Sequence, residues 1–188
     1  MSAIILASQS PRRKQLLEWA EVDFEVIVNP TDESFPAHLP IEEVPIYIAR
    51  RKAEAILPKA EGKLVIAADT IVVIGEEIIN KPSNREEAIQ MLSKLNGRTH
   101  QVITGVVMMK GNQQTSFSDI TDVAFHSLTR EQISFYVDKY QPYDKAGAYA
   151  IQEWIGVVGI KGINGDFYNV MGLPVSRVLQ ALKEFSPD

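Results

Sequence analysis

A chain of 188 residues with 45% hydrophobic and 23% charged side chains has room for one substantial globular domain, or for two lobes sharing one sheet. Its 19 basic against 24 acidic residues leave a net charge of −5, which argues against a nucleic-acid partner and leaves room for a charged small molecule in a local basic cluster. The absence of cysteine excludes disulfides, thiol nucleophiles and cysteine-ligated metals, and no apolar run approaches the ~20 residues of a membrane span.

In chain order, "AIIL" reads as a buried strand that feeds a first helix through Ser8–Ser10. It is too short for a secretory leader, and its positive charges follow it instead of preceding it. The expectation is a soluble cytoplasmic protein with no membrane partner. Ser10 before Pro11 is a helix start, with the serine as N-cap and proline at the first helical position. Arg13, Leu16, Leu17 and Ala20 then fall on one helix face. A helix N-terminus carries partial positive charge, so Arg12 and Arg13 there are unfavourable unless an anion sits among them. Ser8, Ser10, the two arginines and the free backbone N–H groups make a phosphate cradle. The alternative is a capped surface helix whose arginines point into water.

"FEVIV" reads as a second strand, followed by the irregular loop "NPTDESFPAHLP". A helix is expected over "IEEVPIYIARRKAEAIL", with Pro45 tolerated in its first turn. "KLVIAADTIVVI" is a long strand that Gly75-Glu76 turns back into "EIINKP". Ser83 and Glu86 have capping-box spacing for a helix that ends at Gly97, and Thr129 and Gln132 repeat that spacing before "REQISFYVDKY". Between these helices, "HQVITGVVMMK" and "DITDVAFHSL" form a hairpin around Lys110-Gly111-Asn112. A last helix opens at Pro174 and is expected to bury Val175, Val178, Leu179 and Leu182. Strand pairs mixed with strand-helix alternation predict an α/β fold: a mixed twisted sheet flanked by helices, in two lobes with a cleft between them. Residues 98–165 are richest in strand pattern and suit a second lobe, with "NPTDESFP" and "YQPYDKAGAYAIQEW" as cleft walls.

Asp69 is the most informative position. It interrupts an almost wholly apolar strand, where an unpaired carboxylate costs several kcal/mol. It therefore needs a metal, a cationic partner or a hydrogen-bonding turn beside Thr70. Lys52 falls in register with Val44, Ile48 and Ile56 on an apolar helix face, so it either snorkels to water or meets such a carboxylate. Lys81, in "NKP", is either a plain loop lysine or a second cation held by a rigid proline. Asp32 and Glu33 could share magnesium or manganese with Asp69, since oxygen-rich sites suit hard cations; solvation is the ordinary fate of such a loop. His38, His100 and His126 lack zinc spacing and receive no role. There is no P-loop, no dinucleotide fingerprint and no nucleophile elbow. Trp154, Tyr143 and Tyr149 could stack on a base, although core packing explains aromatics more often.

The order "SQSPRR", "AADTIV", "NKP", "THQVITGV", "DKAGAYAIQ" and "INGDFYNVMGLP" resembles the Maf family of nucleoside triphosphate pyrophosphatases, over nearly the whole chain. The resemblance implies one Maf-like domain over residues 1–188, an architecture related to the inosine-triphosphate pyrophosphatases, dependence on a divalent metal, and often a homodimer. It implies hydrolysis between the α- and β-phosphates, to the nucleoside monophosphate and pyrophosphate, as house-cleaning of the nucleotide pool. Asp69 would be catalytic base and, with Glu33, metal ligand; Lys52 and Lys81 would offset charge on the leaving pyrophosphate; Ser8, Ser10, Arg12 and Arg13 would hold the triphosphate. Arg12, Thr70 and Gln152 match the branch acting on dTTP and UTP, and Gln152 offers the donor and acceptor that a pyrimidine O4/N3–H edge requires. Gln9, Ala150 and Glu153 stand where relatives often have glycine. The sequence leaves open a purine or modified nucleotide as substrate, a sensor that binds without hydrolysis, and a non-enzymatic regulator of septum formation.

Overall fold

The computed structural model describes residues 3–185. Strand β1 (Ile4–Leu6) leads into helix α1 (Pro11–Trp19), and the short strand β2 (Glu25–Val26) precedes a long irregular loop. A 3-10 turn over Ile41–Glu43 opens helix α2 (Val44–Ile56), with Pro45 in its first turn. Strand β3 (Leu64–Ile74) turns at Gly75 into β4 (Glu77–Ile79), and helix α3 (Arg85–Leu95) follows. The hairpin β5 (Thr99–Lys110) and β6 (Gln113–Phe125) leads to α4 (Arg130–Tyr140). The chain closes through α5 (Trp154–Gly159), β7 (Ile160–Asn164), α6 (Phe167–Met171) and α7 (Val175–Leu182).

The strands form one mixed sheet in the order β2-β1-β3-β5-β6-β7, with β4 on β3. β1 runs parallel to β2 and β3, pairing Ile5 with Glu25 and with Val65. β4 is antiparallel to β3, and β7 to β6. The expected α/β class with a mixed sheet and flanking helices is thereby borne out.

The chain divides into two compact units. The first comprises the residues up to Asp69, Thr104–Asp119, and those from Gly172 on; the second comprises Thr70–Ile103 and Ile120–Met171. The core of the first packs α2 on the sheet through Ala49, Ala53 and Ile56 against Ile5, Val65, Ala67 and Val107. Alanine on the helix side lets the two layers approach closely. Gly105 serves the same approach: a Cβ there would lie 2.3 Å from the backbone nitrogen of Ile46, so only glycine lets β5 pass beneath the first turn of α2. In α7, Val175, Val178 and Ala181 are buried, whereas Leu179, expected inside, is exposed and Leu182 is half-buried. The buried line follows i, i+3, i+6, one notch round the helix from the expected stripe.

In the second unit α3 packs on α4. The Asn96 amide locks the end of one to the start of the other, accepting from Leu128 N at 2.7 Å and donating to Leu128 O at 2.9 Å. The expected capping box at Thr129 and Gln132 is present, with both bonds made. The one expected at Ser83 and Glu86 is displaced by one residue. Asn84 is the N-cap, accepting from Glu87 N at 2.9 Å, and the Glu87 carboxylate turns back to accept from Ser83 N at 2.7 Å. Asn84 and Glu87 have the same spacing, and asparagine caps a helix as well as serine does. The second strand is also shorter than "FEVIV", ending once its pairing with β1 is used up.

Candidate functional site

The start of α1 builds the first half of the site. Ser10 caps the helix by accepting from Arg13 N at 3.5 Å. The Ser8 hydroxyl accepts from Ser10 N at 3.2 Å and from Arg13 Nη1 at 3.1 Å, while Arg13 Nε donates to the Gly172 carbonyl at 2.7 Å. Arg13 is thus a buried cation that ties the Ser8 loop, α1 and the segment before α7 together. Burial pushes its guanidinium pKa down, Arg12 adds to that, and the negative charges of Asp69 and Glu33 work against it. An arginine keeps its proton under any physiological condition, so Arg13 is a permanent positive charge within the field of both carboxylates. Arg12, one residue earlier, is half-buried.

Asp69 and Lys52 meet, one of the alternatives that the sequence left open for each. Lys52, from the inner face of α2, lies 2.7 Å from Asp69 Oδ1 and 2.7 Å from Glu33 Oε1. The Lys52 and Asp69 side chains are only 16% and 12% exposed, and Glu33 reaches in from the loop at 46%. One ammonium therefore stands between two carboxylates. Asp32 does not join them: its carboxylate accepts from the Ser34 amide and hydroxyl and faces Arg51 at 3.5 Å. Those hydrogen bonds hold its pKa below the usual carboxylate range. Adjacent loop residues point to opposite sides, so only one of the two expected carboxylates could turn inward.

Among the described residues no cluster of three or more His, Cys, Asp or Glu stands ready for a metal ion. Magnesium, however, is commonly held by one or two carboxylates together with substrate phosphates. Glu33 and Asp69, converging on a single cationic point, fit that donor set.

Ser8, Ser10, Arg12, Arg13, Glu33, Lys52 and Asp69 all belong to the first unit, and Thr70, Lys81 and Gln152 to the second. Thr70 is half-buried, next to Asp69 in β3; Lys81 is exposed ahead of the buried Pro82; Gln152 is exposed at the end of the buried run 147–151. Sequence reasoning missed the residues behind Gln152. His100 Nε2 lies 2.7 Å from the Tyr149 hydroxyl, and both rings meet Phe125 edge-on. Burial pushes the His100 pKa from 6.5 down to about 4 and the Tyr149 phenol up, so both are neutral near pH 7. The available signal was His100 in a strand pattern rich in valine, isoleucine and methionine. Of the aromatics considered for base stacking, Tyr149 is buried in this cluster and Trp154 packs on Phe135.

The architecture is shared with solved structures of Ham1 proteins. That of Staphylococcus aureus superposes with a TM-score of 0.54 at 20% identity, covering 96% of this chain and 97% of that one. A second, from Coxiella burnetii, gives 0.50 at 16% identity over 98% and 100% of the two chains. These define the class: an α/β protein of Ham1-like fold. The sequence profile described as "Maf-like protein" matches residues 3–185, and the chain belongs to that family. Proteins named dTTP/UTP pyrophosphatase are similar over almost their whole length. That of Cytophaga hutchinsonii is 50% identical over 186 residues, 98% of this chain and 85% of its own. That of Parabacteroides distasonis is 52% identical over 184 residues, 97% and 95% of the two.

Proposed function

We propose that this member of the family hydrolyses dTTP and UTP between the α- and β-phosphates, releasing the nucleoside monophosphate and pyrophosphate. The protein is a nucleoside triphosphate pyrophosphatase, as relatives half identical to it are named. One observation carries the assignment of roles: Lys52 held between Asp69 and Glu33, in the same unit as the serine- and arginine-lined start of α1. Phosphoryl chemistry needs charge neutralisation, an oriented water and a stabilised leaving group, and this constellation supplies each.

Arg12, Ser10 and the positive N-terminal end of α1 bind the phosphates, while Arg13 holds Ser8 and Gly172 in the shape that receives them. The Asp69 carboxylate takes the proton of the water that adds to the α-phosphorus, as the bond to the bridging oxygen breaks and pyrophosphate departs. Lys52 and Lys81 offset the charge that moves onto that leaving group. Asp69 and Glu33 would hold magnesium or manganese, which would supply Lewis-acid neutralisation of the phosphate charge. Gln152, with Thr70 and Arg12, selects the base. House-cleaning of the nucleotide pool, a cytoplasmic location and pairing as a homodimer belong to the same reading. Among the described residues no helix is long and apolar enough to cross a membrane.

The test is pyrophosphate release over a panel of nucleoside triphosphates with magnesium, manganese or EDTA. Metal-dependent release with dTTP and UTP ahead of CTP and the purines is expected. No release from any nucleotide, by protein shown to be folded, overturns the enzymatic reading.

A further inference from the structure

An amide that reads a pyrimidine must be held in one orientation. A glutamine carbonyl facing N3–H and its NH₂ facing O4 recognise uracil or thymine; the same amide turned over recognises cytosine, whose N3 accepts and whose N4 donates. Gln152 is exposed, so its own side chain is not packed into one pose. The backbone that presents it sets where that side chain starts and how far its amide reaches.

That backbone is gripped on both sides of Gln152 by a single side chain. Tyr136, wholly buried on α4, accepts from Ala150 N at 3.2 Å through its hydroxyl and donates the hydroxyl proton to the Glu153 carboxylate. The two bonds straddle Gln152. Glu153 closes the turn from its backbone as well, donating its N–H to Ala150 O at 3.1 Å. Its other carboxylate oxygen lies 3.7 Å from Lys145 Nζ, a buried ammonium also bonded to Asp144 at 2.7 Å. Beneath the turn, a Cβ on Gly156 would come within 1.6 Å of the Ile151 carbonyl oxygen, so the loop rests directly on the backbone of α5. On its near side Tyr149 is pinned to His100.

We propose that Tyr136 and Glu153 are positioning residues for base selection: their hydrogen bond around Gln152 fixes the backbone from which its amide reaches the edge of a uracil or thymine. The inference rests on the reading of Gln152 given above. It gives Glu153 a function that the reaction itself does not require.

The experiment compares kcat and KM for dTTP, UTP and CTP across Gln152→Ala, Tyr136→Phe, Glu153→Ala and Glu153→Gln, with amide hydrogen exchange over residues 149–153. In Tyr136→Phe and Glu153→Ala the preference for dTTP over CTP should fall roughly tenfold, the scale of one lost hydrogen bond to a charged group. The change should lie mainly in KM, and exchange at Ala150 should quicken in Tyr136→Phe. Glu153→Gln keeps an acceptor for the phenol and should retain most of the preference, a rescue that a purely structural role would not produce. Gln152→Ala separates the two readings. Loss of preference there but not in Tyr136→Phe or Glu153→Ala overturns the positioning role alone. Unchanged preference in Gln152→Ala overturns the base-reading assignment, and the positioning role with it. Should Tyr136→Phe fail to fold, Glu153→Ala carries the same test.

Discussion

In the first unit the polar groups are charged and restrain one another: Lys52 sits between Asp69 and Glu33, and Arg13 lies in the field of both carboxylates. Around Gln152 in the second unit, most of the restraint comes from two phenols, a neutral histidine and backbone amides, with one carboxylate balanced by Lys145. The difference matches the two roles proposed for these regions. Coulombic forces fall off slowly and have little angular preference, so a cluster of opposite charges can accept a triphosphate and let its partners exchange. Hydrogen bonds are short and directional, so a neutral network holds one backbone pose and resists exchange. Moving charge suits the first; telling one base edge from another suits the second.

The contrast can be broken most severely at Asp69. Asp69→Asn should cut pyrophosphate release by about 10³-fold while the melting curve stays close to that of the parent, because the amide keeps the shape and loses the base. Activity above a tenth of the parent's would take Asp69 out of the chemistry. Lys52→Met leaves the Asp69 carboxylate buried without its cation and should cost about 3 kcal/mol in urea unfolding, against which a loss below ~1 kcal/mol would show a hydrated pair that contributes little. On the neutral side, His100 is expected to make stability depend on pH. Below 6.5 the unfolded histidine takes up a proton while the folded one stays neutral down to about 4, so its contribution is complete above 6.5 and drains away as pH falls toward 4. The loss at pH 4 should approach roughly 3 kcal/mol, and His100→Phe should flatten that part of the profile; an unaltered profile would remove burial of His100 as its cause. The smallest effect sharpens the comparison. Thr129→Ala removes the cap of α4, should cost about 1 kcal/mol, and should leave the ratio of dTTP to CTP turnover alone. A change in that ratio would mean that stability of the second unit, and not the bonds around Gln152, governs base choice.

What could be read in advance was either local or anomalous. Ser10 and Pro11, the Thr129–Gln132 box and the turn at Gly111 declare themselves within a few residues, and the structure has each of them. Asp69 was legible because a carboxylate in an apolar strand demands a partner, and Lys52 because a lysine in an apolar register needs a reason. Ties were not legible. Ser83 and Asn84 each stand three residues before a glutamate, and Asp32 and Glu33 are adjacent acids; packing decides between them. Nor does any pattern announce that Arg13 reaches a carbonyl 159 residues away, or that the Tyr136 phenol meets Glu153. Such pairs are chosen by three-dimensional proximity between side chains that, read singly, have ordinary roles.

The bond between Arg13 and the Gly172 carbonyl has a consequence for how the chain is made. The second unit has all its residues by Met171, whereas the first unit, begun earlier, still waits for the residues from Gly172 on. Until then Arg13 lacks its carbonyl and β1 is without the α7 segment of its own unit. The half that carries Asp69 is therefore the one left incomplete in a chain that lacks those residues. A chain cut just short of Gly172 would keep every residue of the loop around Gln152 and lose the carbonyl that braces Arg13.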